Sequence, residues 1–562
     1  MNDAVNGTVN GPAEDPRLRL LGSQAAGGPQ SQATEVLRRL DETEVVVVPP
    51  DADGAARVAV AAFVTMIARL VPNVVVDAEG DGDLPANWWQ ATSWADLLDK
   101  LAPVRPCSDL PIARRITVGF GIVEPVCGVY VGGGDWNVVL ADRPVVVEVG
   151  NDHALGLHAA ACLAVSQVLI EVLGDLGFPG VGVTGVVETN LIDHGLHSVD
   201  KNDLASAAIE VARTAFLGVG SVGTSAIALL ATACSPVLSS SVAAAAMAAV
   251  MEVTAVDNDA FDPDRNPYRY PALLGGETGM KSSGMVERLK ELGLVAEAHD
   301  VNVANWNTAK AAPGWDGVLV SSVDTLSGRL DVADVLGKMT LSAGVSGTEL
   351  HVQWERFADG FACPFCDYVR ADPPLTQAGV YSQVTGIPVS RVLALLQDGA
   401  VLEHSDVDTA IVAGRVPAHR RDALVAAPIS DLIRQAYAEA EMRPQGVDTA
   451  GPGGDVVAVA SPQVSWFAGT LVAAELVKHM LGLPTLNRRV DLDVAGLPAG
   501  VVRTVPSDNS GTCVCHSGVR RRWYRALYGR PDVTTTGVGV QLSPVDAESA
   551  SASIRASPIL EV

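Results

Sequence analysis

The stretch LGVGSVG at residues 217–223 most constrains what this chain can fold into. Gly218, Gly220 and Gly223 have the spacing G-x-G-x-x-G and precede a helix-like run, TSAIALLATAC. In such a turn the first glycine permits a tight bend, the second lets the backbone approach a phosphate, and the third allows the helix to pack on the strand. The stretch therefore predicts an α/β unit with a nucleotide at a helix N-terminus. Because the chain has 54 glycines among 562 residues, the turn alone does not exclude a purely structural connection.

Composition and charge exclude several classes of protein. The chain is 48% hydrophobic and 19% charged, which is ample for several domains with cores of their own. A net charge of −26, without a concentrated Lys/Arg face, argues against nucleic acid or an anionic membrane as partner. The N-terminus lacks the pattern of a secretory signal, and the apolar stretch Ser225–Met251, interrupted by Pro236, predicts two helices rather than a membrane span. We predict a cytoplasmic protein.

The segment before the glycine turn has a similar order of elements without the turn itself. EVVVVPP, AARVAVAAFVTMIARLV and NVVVDAEG predict strand, helix and strand. Two long helices, predicted at His153–Gly174 and Ser461–Gly482, are both rich in small residues and both end in Leu-Gly. This pattern favours a degenerate internal duplication whose first copy lacks the phosphate loop. Two unrelated buried helices remain the alternative.

An ordered set of polar residues follows the glycine turn. The strand MEVTAVDND ends at Asp257, 39 residues beyond Gly218. A plain dinucleotide site has its acidic residue about 20 residues beyond the glycines, so this distance argues against a dehydrogenase. The polar residues that follow are, in order, Asp257, Asp259, Asn266, Arg269, Lys281 and Asp324, and then Cys363 and Cys366.

This ordered set resembles the ThiF-type adenylyltransferases, which are relatives of the ubiquitin-activating enzymes and of the activators of the thiamine and molybdopterin sulfur carriers. Their pattern runs from a glycine turn through Asp-x-Asp, Asn-x-x-Arg and Gly-x-x-Lys to a strand followed by an aspartate, and then to Cys-x-x-Cys. The resemblance covers roughly residues 205–370 and 455–517. It implies a Rossmann-like adenylation domain that uses ATP and Mg²⁺. An NAD-dependent oxidoreductase with the same glycine turn is the alternative.

The resemblance also implies the reaction and the role of each residue. The carboxylate of a small carrier protein, a peptide or a small acid would attack the α-phosphorus of ATP and release pyrophosphate. Positioning and charge neutralisation dominate such a step, and no enzymic nucleophile is needed. Gly218, Gly220, Gly223, Asp257, Asp259 and Asn266 would bind the nucleotide, Arg269 and Lys281 would neutralise the triphosphate, and Asp324 would hold Mg²⁺. The family often has an arginine that reaches the site from the partner half, and the sequence does not identify one here.

Two close pairs of cysteines predict a zinc site. Cys363 and Cys366 form a Cys-x-x-Cys, and Cys513 and Cys515 form a tighter pair after the second long helix. Four thiolates would hold Zn²⁺ as a structural ion, with His516 as a possible replacement ligand and two free thiol pairs as the alternative. The segment between the two pairs contains no cysteine over 372–454, which predicts adenylation without a thioester.

These observations predict an α/β chain with a degenerate N-terminal Rossmann-like half and a small helical insertion. The predicted parts are a flexible tail (1–34), the degenerate half (35–200), the ATP-binding adenylation domain (201–371), the insertion (372–454), the completion of the adenylation domain (455–530) and a second flexible tail (531–562). The two halves would form an internal pseudo-dimer with one ATP per chain, in which the helix at 153–174 packs against the helix at 461–482, since small residues permit close approach. A further homodimer of whole chains stays open.

Overall fold

A computed structural model shows a mixed α/β protein with two sheets that each consist largely of parallel strands. The structure describes Asp15, Arg17 and residues 30–529, except 52–53, 79–81, 124–126, 151–152, 179, 195–211, 240, 264–265, 311, 358–361, 367–376, 398–399, 442–460, 484, 486–488, 496–500, 504–507, 509–510 and 512. The predicted tail at 531–562 lies outside the described residues.

The N-terminal half surrounds a seven-stranded sheet with helices. Its elements are α1 (Gln30–Asp41), β1 (Thr43–Val48), α2 (Ala55–Ile67), β2 (Asn73–Val76), α3 (Trp94–Lys100), β3 (Arg114–Phe120), β4 (Val129–Gly134), β5 (Asn137–Ala141), β6 (Val147–Glu148), α4 (Leu155–Leu173) and β7 (Val186–Asn190). The strand order is β2-β1-β3-β4-β5-β7, with β6 beside β4. Four valines in succession give β1 the β-branched composition of a buried strand.

The second half contains an eight-stranded sheet and the helical insertion. Its elements are β8 (Ala212–Leu217), α5 (Ser221–Cys234), α6 (Val242–Val250), β9 (Met251–Val256), α7 (Asn266–Arg269), α8 (Lys281–Glu291), β10 (Val295–His299), α9 (Val303–Ala309), β11 (Trp315–Ser321), α10 (Leu326–Val335), β12 (Gly337–Ser346), β13 (Glu349–Glu355), α11 (Gln377–Thr385), α12 (Val389–Gln397), α13 (His404–Val412), α14 (Arg421–Leu424), α15 (Ile429–Glu441), α16 (Pro462–Met480), β14 (Arg489–Asp493), β15 (Val501–Arg503) and α17 (Gly518–Tyr528). The strand order is β10-β9-β8-β11-β12-β13-β14-β15.

The two sheets share a sequence of strand pairings. In the first, β1 lies between β2 and β3 in parallel, β3 pairs in parallel with β4, and β4, β5 and β7 pair antiparallel in succession. The second sheet repeats these relations. β8 lies between β9 and β11 in parallel, β11 pairs in parallel with β12, and β12, β13 and β14 pair antiparallel in succession. In each half the long helix, α4 or α16, precedes the last antiparallel strand of this set along the chain. This correspondence supports an internal duplication, which stays a proposal.

The insertion has a small core of its own. Described helices α11 to α15 bury a separate apolar cluster that includes Val392, Val407 and Leu432. The predicted bounds of the insertion, 372 and 454, fall on residues outside the described part of the chain. The insertion is therefore helical where it is described, and its limits stay a prediction.

Helix α1 begins at Gln30, inside the predicted flexible tail at 1–34, whose bounds stay a prediction. Val36 and Leu40 of α1 are fully buried, and Arg17 is buried beside Asp41, whose carboxylate it contacts at 2.5 Å. The Gly- and Pro-rich composition of residues 1–34 predicts a tail, whereas the apolar residues that bury α1 lie in the second half of that helix. Most of the remaining residues of this predicted tail lie outside the described ones.

The three apolar helices α5, α16 and α4 pack side by side at the centre of the molecule. The predicted contact between α4 and α16 is confirmed: His158 and Trp466 have ring centroids 6.0 Å apart. Leu155–Leu176 is long and apolar enough to cross a membrane by length and composition. However, 89% of the residues in its most apolar stretch are buried inside the protein, as in a core helix.

Gly469 allows α16 to approach α5 closely. A Cβ added at Gly469 would lie 2.6 Å from Cβ of Ser225 and 2.8 Å from the backbone nitrogen of Ala226. Both distances are shorter than van der Waals contact, so any side chain here forces the two helices apart.

We expect Gly469→Ala to lower the free energy of unfolding by about 1–3 kcal/mol through overpacking. Urea denaturation of the full chain measures this change. Gly518→Ala is the matched control, since nothing lies within 4 Å of a Cβ at that helical glycine. Equal effects of the two substitutions would show that the close approach of α16 and α5 is not required.

Candidate active site

The predicted nucleotide-binding residues lie at one edge of the second sheet, at the carboxyl ends of its parallel strands. The glycine turn follows β8, Asp257 follows β9, and Asp324 lies three residues after the end of β11. β8 lies between β9 and β11. The sheet therefore brings these three segments together, at the position where open α/β sheets bind their ligands.

The glycines of the turn meet different steric demands. Gly218 has a φ of +89°, and a Cβ there would lie 3.1 Å from Cγ1 of Val323. A Cβ at Gly223 would lie 2.4 Å from the carbonyl oxygen of Gly218. At Gly220 the nearest atom to such a Cβ is the Tyr270 hydroxyl, at 4.0 Å. Gly218 and Gly223 are thus required by the fold of the turn, whereas Gly220 leaves space beside the first turn of α5.

The N-terminus of α5 faces this space without a side-chain cap. Gly220 is its N-cap residue, and no side chain hydrogen-bonds there as a cap. Ser322 fixes the turn from the neighbouring strand, since its hydroxyl donates to the Gly218 carbonyl at 2.7 Å. An uncapped helix N-terminus after a rigid glycine turn can bind an anion through its backbone N–H groups.

Asp257 is already engaged with the backbone of the turn. Its carboxylate accepts from the N–H of Val219 at 2.5 Å and from the N–H of Asp259 at 2.8 Å. Burial raises the pKa of Asp257 above its usual value, against these two hydrogen bonds and nearby Lys281, which lower it. The side chain is therefore oriented at the strand end, where a ribose hydroxyl could reach its remaining acceptor positions.

Lys281 and Asp259 form an ion pair inside the site. An isolated antiparallel bridge between Ala260 and Met280 places the adjacent residues, Asp259 and Lys281, opposite each other. Nζ of Lys281 lies 2.9 Å from Oδ2 of Asp259. Burial alone would lower the pKa of Lys281, but Tyr270, Asp259 and Asp257 together raise it. The ammonium group therefore stays charged although its side chain is only 8% exposed.

Asn266 and Arg269 stand on the single turn of helix α7, at the same edge. The Asn266 side chain is buried, and its Oδ1 accepts from the N–H of Asp262 at 2.8 Å. Arg269 is half-buried. Tyr270 follows directly and links this segment to the others, since its ring centroid lies 6.0 Å from Nζ of Lys281. Asp324 is exposed at the mouth of the site, next to Val323.

Several residues at the site were not predicted from the sequence. Tyr270 directly follows Arg269, and its hydroxyl lies 4.0 Å from the position of a Cβ at Gly220. Ser322 lies two residues before Asp324 and hydrogen-bonds to Gly218. The aromatic residues of NPYRYP were the available sequence signal for Tyr270. Arg69, Trp88 and Trp89 come from the N-terminal half and hydrogen-bond to the segment after Asn266. No local sequence pattern marks them.

The four predicted zinc ligands form one buried cluster. The sulfur of Cys366 lies 3.7 Å from that of Cys363 and 3.6 Å from those of Cys513 and Cys515. All four sulfur atoms lie within 4.8 Å of one another. In a tetrahedral zinc site with Zn–S bonds of about 2.3 Å, sulfur atoms are about 3.8 Å apart. The four thiols therefore fit a tetrahedral metal ion.

The surroundings of the cluster favour a thiolate at Cys366, whereas hydrogen bonds with the other three thiols raise the pKa of Cys363. The backbone N–H groups of Cys363 and Asp508 donate to the sulfur of Cys366 at 3.3 Å and 3.4 Å. Hydrogen bonds from the Cys363, Cys513 and Cys515 thiols lower the pKa of Cys366. His516 is not part of the cluster, because its Nε2 contacts the carbonyl oxygen of Asp508. A metal ion at this cluster would therefore have four cysteine ligands.

Comparisons with known proteins find similarities at low sequence identity. No family model matches the chain. Uncharacterized protein y4jF of Sinorhizobium fredii is 25% identical over 413 residues, 71% of this chain and 74% of that protein. The crystal structure of E. coli MccB is 13% identical with a TM-score of 0.31, over 54% of this chain and 64% of MccB, and MccB with ATP is 11% identical with a TM-score of 0.31, over 55% and 68%. The chain spans just under two thirds of the length of MccB in the structure compared without ATP.

We expect one zinc ion per chain in freshly purified protein, and its loss in Cys363→Ser. The first and third ligands are 150 residues apart in sequence, so removal of the ion should expose the C-terminal segment to protease before other regions. Elemental analysis and limited proteolysis measure both effects. Cys107→Ser, at an exposed free cysteine, is the control and should keep the ion. Metal-free wild-type protein would contradict the assignment.

Proposed function

We propose that this chain is an ATP-dependent adenylyltransferase of the ThiF type that converts a carboxylate into an acyl-adenylate. The observation that supports this best is the meeting, at one sheet edge, of the uncapped N-terminus of α5, the buried cation of Lys281 and the oriented carboxylate of Asp257. A triphosphate calls for N–H donors and a cation, and a ribose calls for an acceptor.

In this proposal the nucleotide takes the place of contacts already present within the protein. Phosphate oxygens would bind the first turn of α5 beside Gly220 and would compete with Asp259 for Lys281. Asn266 and Arg269 would bind the outer phosphates from α7. Asp257 would accept hydrogen bonds from the ribose. Each of these roles is a proposal drawn from the chemistry of the side chain and its place at the sheet edge.

The proposed step moves no proton between protein and substrate. An oxygen of the substrate carboxylate forms a bond to the α-phosphorus of ATP, and the bond from that phosphorus to the bridging oxygen breaks. Pyrophosphate leaves with the electron pair of that bond. Charge accumulates on phosphate oxygens during the step, and Lys281 and the N–H groups of α5 would stabilise it. The substrate would be a peptide, the C-terminus of a small carrier protein, or a small acid.

Two metals belong to this proposal in different roles. Mg²⁺ would be held near the phosphates by the exposed carboxylate of Asp324 and would neutralise pyrophosphate as it forms. Zn²⁺ would be held by the four-cysteine cluster and would stabilise the C-terminal segment. A four-cysteine metal site and the burial of α4 would be in keeping with the proposed location in the cytoplasm.

The alternative, an NAD-dependent oxidoreductase, also uses a glycine turn. It assigns no role to the buried lysine or to the segment of α7. The two functions differ in the ligand that the full chain binds, and this difference can be measured directly.

We expect the full chain to bind one ATP·Mg²⁺ per chain and to bind NAD⁺ much more weakly, as measured by calorimetry. Lys281→Ala should lower ATP affinity at least tenfold, about 1.4 kcal/mol, because it removes the buried cation. Lys290→Ala, at an exposed lysine of the same helix, is the control and should bind as the wild type does. Tight binding of NAD⁺ alone would favour the oxidoreductase, and two ATP per chain would contradict the degenerate N-terminal half.

We expect Asp324→Asn to raise the Mg²⁺ concentration needed for ATP–pyrophosphate exchange, since the neutral amide is a weaker ligand for a hard cation. Exchange driven by a carboxylate substrate, titrated with Mg²⁺, measures this shift. Asp109→Asn, an exposed acid in the N-terminal half, should leave the titration unchanged. An unchanged titration in Asp324→Asn would remove this residue from the metal site.

A further inference from the structure

Arg69 of the N-terminal half binds the backbone of the segment that carries Asn266. Its side chain is fully buried directly after α2. The guanidinium Nε donates to the carbonyl of Pro267 at 2.8 Å, and Nη2 donates to the carbonyl of Tyr270 at 3.3 Å and to that of Leu273. One arginine thus satisfies acceptors over a whole turn of chain in the other half.

Two tryptophans next to each other bind the same segment. Nε1 of Trp88 donates to the carbonyl of Ala272, and Nε1 of Trp89 donates to the carbonyl of Pro271, both at 2.9 Å. Trp89 also stacks on Trp466 of α16, with ring centroids 5.6 Å apart. The carbonyls that accept from the N-terminal half therefore follow one another from Tyr270 to Leu273.

Burial of the Arg69 guanidinium costs desolvation free energy that an apolar side chain at this position would not cost. Burial lowers the pKa of Arg69 to about 9, partly offset by the charge of nearby Glu277. Among the described residues, its hydrogen-bond partners are carbonyls only, including that of Thr65 in α2. The carbonyl of Pro267 lies in the last turn of α7, where carbonyls lack intrahelical partners and a cation is favourable, and the carbonyls of Tyr270 and Leu273 lie beyond the end of the helix. The forked guanidinium fixes their relative positions, which an apolar residue of similar size would not do.

The bound segment forms one side of the nucleotide site. It begins with the buried Asn266 and includes Tyr270, whose hydroxyl lies 4.0 Å from the position of a Cβ at Gly220. The ring centroid of the same tyrosine lies 6.0 Å from Nζ of Lys281. A displacement of this segment would therefore move Asn266, Arg269 and Tyr270 relative to the glycine turn.

We propose that Arg69 is a positioning residue for the nucleotide site, which acts through the carbonyls of Pro267, Tyr270 and Leu273 and does not itself touch the nucleotide. This inference rests on the proposed function where it concerns ATP. Its structural part, the ordering of segment 266–274, can be tested without any ligand. It gives the N-terminal half a role in the site although that half has no glycine turn.

The test compares the full chain with Arg69→Met, by hydrogen–deuterium exchange without ligand and by calorimetry with ATP·Mg²⁺ and AMP. We expect peptides that cover 268–274 to exchange about tenfold faster, the equivalent of about 1.4 kcal/mol. ATP affinity should fall about tenfold and AMP affinity by less than about threefold, because Asn266 and Arg269 are assigned to the outer phosphates. Arg69→Lys keeps one donor group and should restore part of both effects.

The control removes a different contact between the halves. Nζ of Lys478 donates to the carbonyl of Ile192 at 3.0 Å and pairs with Glu475, so Glu475→Gln with Lys478→Met disturbs the interface away from the segment. This control should leave exchange at 268–274 and the ratio of ATP to AMP affinity unchanged. If Arg69→Met does not fold, Arg69→Lys carries the same comparison.

The outcomes separate this inference from the proposed function. Unchanged exchange at 268–274, or an equal loss of ATP and AMP affinity, overturns the positioning role of Arg69. If wild-type protein does not bind ATP, the proposed function fails, and the exchange result alone then decides whether Arg69 orders the segment.

Discussion

The packing of α16 between α5 and α4 is the interaction on which the rest of the structure depends. α5 begins at the glycine turn, so the direction of its first N–H groups is fixed only if the helix itself is fixed. α16 fixes it at close range through Gly469, and the hydroxyls of Ser465 and Ser221 meet at 3.0 Å, within one turn of the glycines. On its other side α16 contacts α4 through Trp466 and His158. The position of the proposed phosphate site is thus set by burial of apolar helix faces from both halves.

Much of this arrangement could be predicted from the sequence, because its signals are local. Runs of valine predicted β1 and β2, and long apolar runs rich in small residues predicted α4 and α16. The ordered motif predicted that Lys281 and the aspartates belong to one site, and the structure places them at one sheet edge. The contacts of Arg69, Trp88 and Trp89 could not be predicted, because their partners are carbonyls some 180–200 residues away, which every residue possesses. The start of α1 inside the predicted tail was missed for a related reason: composition is a poor guide where a short amphipathic pattern decides burial.

A nucleotide that binds at this site would replace ion-pair partners of side chains that are already buried, and would not require the protein to bury new charges. Lys281 is desolvated and paired with Asp259 before any ligand is present, and Asp257 is hydrogen-bonded to the turn. The cost of burying these charges is therefore met during folding. A phosphate that replaces Asp259 at Lys281 needs little reorganisation, whereas Asp259, at a side-chain exposure of 64%, can turn toward solvent. This is the form of preorganisation that favours transfer chemistry at phosphorus.

The cysteine cluster lies at the opposite edge of the same sheet, which limits what a metal there can do. Cys363 follows β13, whose last residue pairs with Thr340 near the start of β12. The hydroxyls of Tyr524 and Tyr528 in α17 donate to the carbonyls of Lys338 and Leu336, also at the start of β12. The glycine turn and Asp324 lie beyond the far ends of the parallel strands, about 20 Å away for strands of this length. A metal at the cluster would be too distant to polarise a phosphate or a carboxylate. Its ligands would join the C-terminal segment to the residues after β13, which supports the proposed structural role.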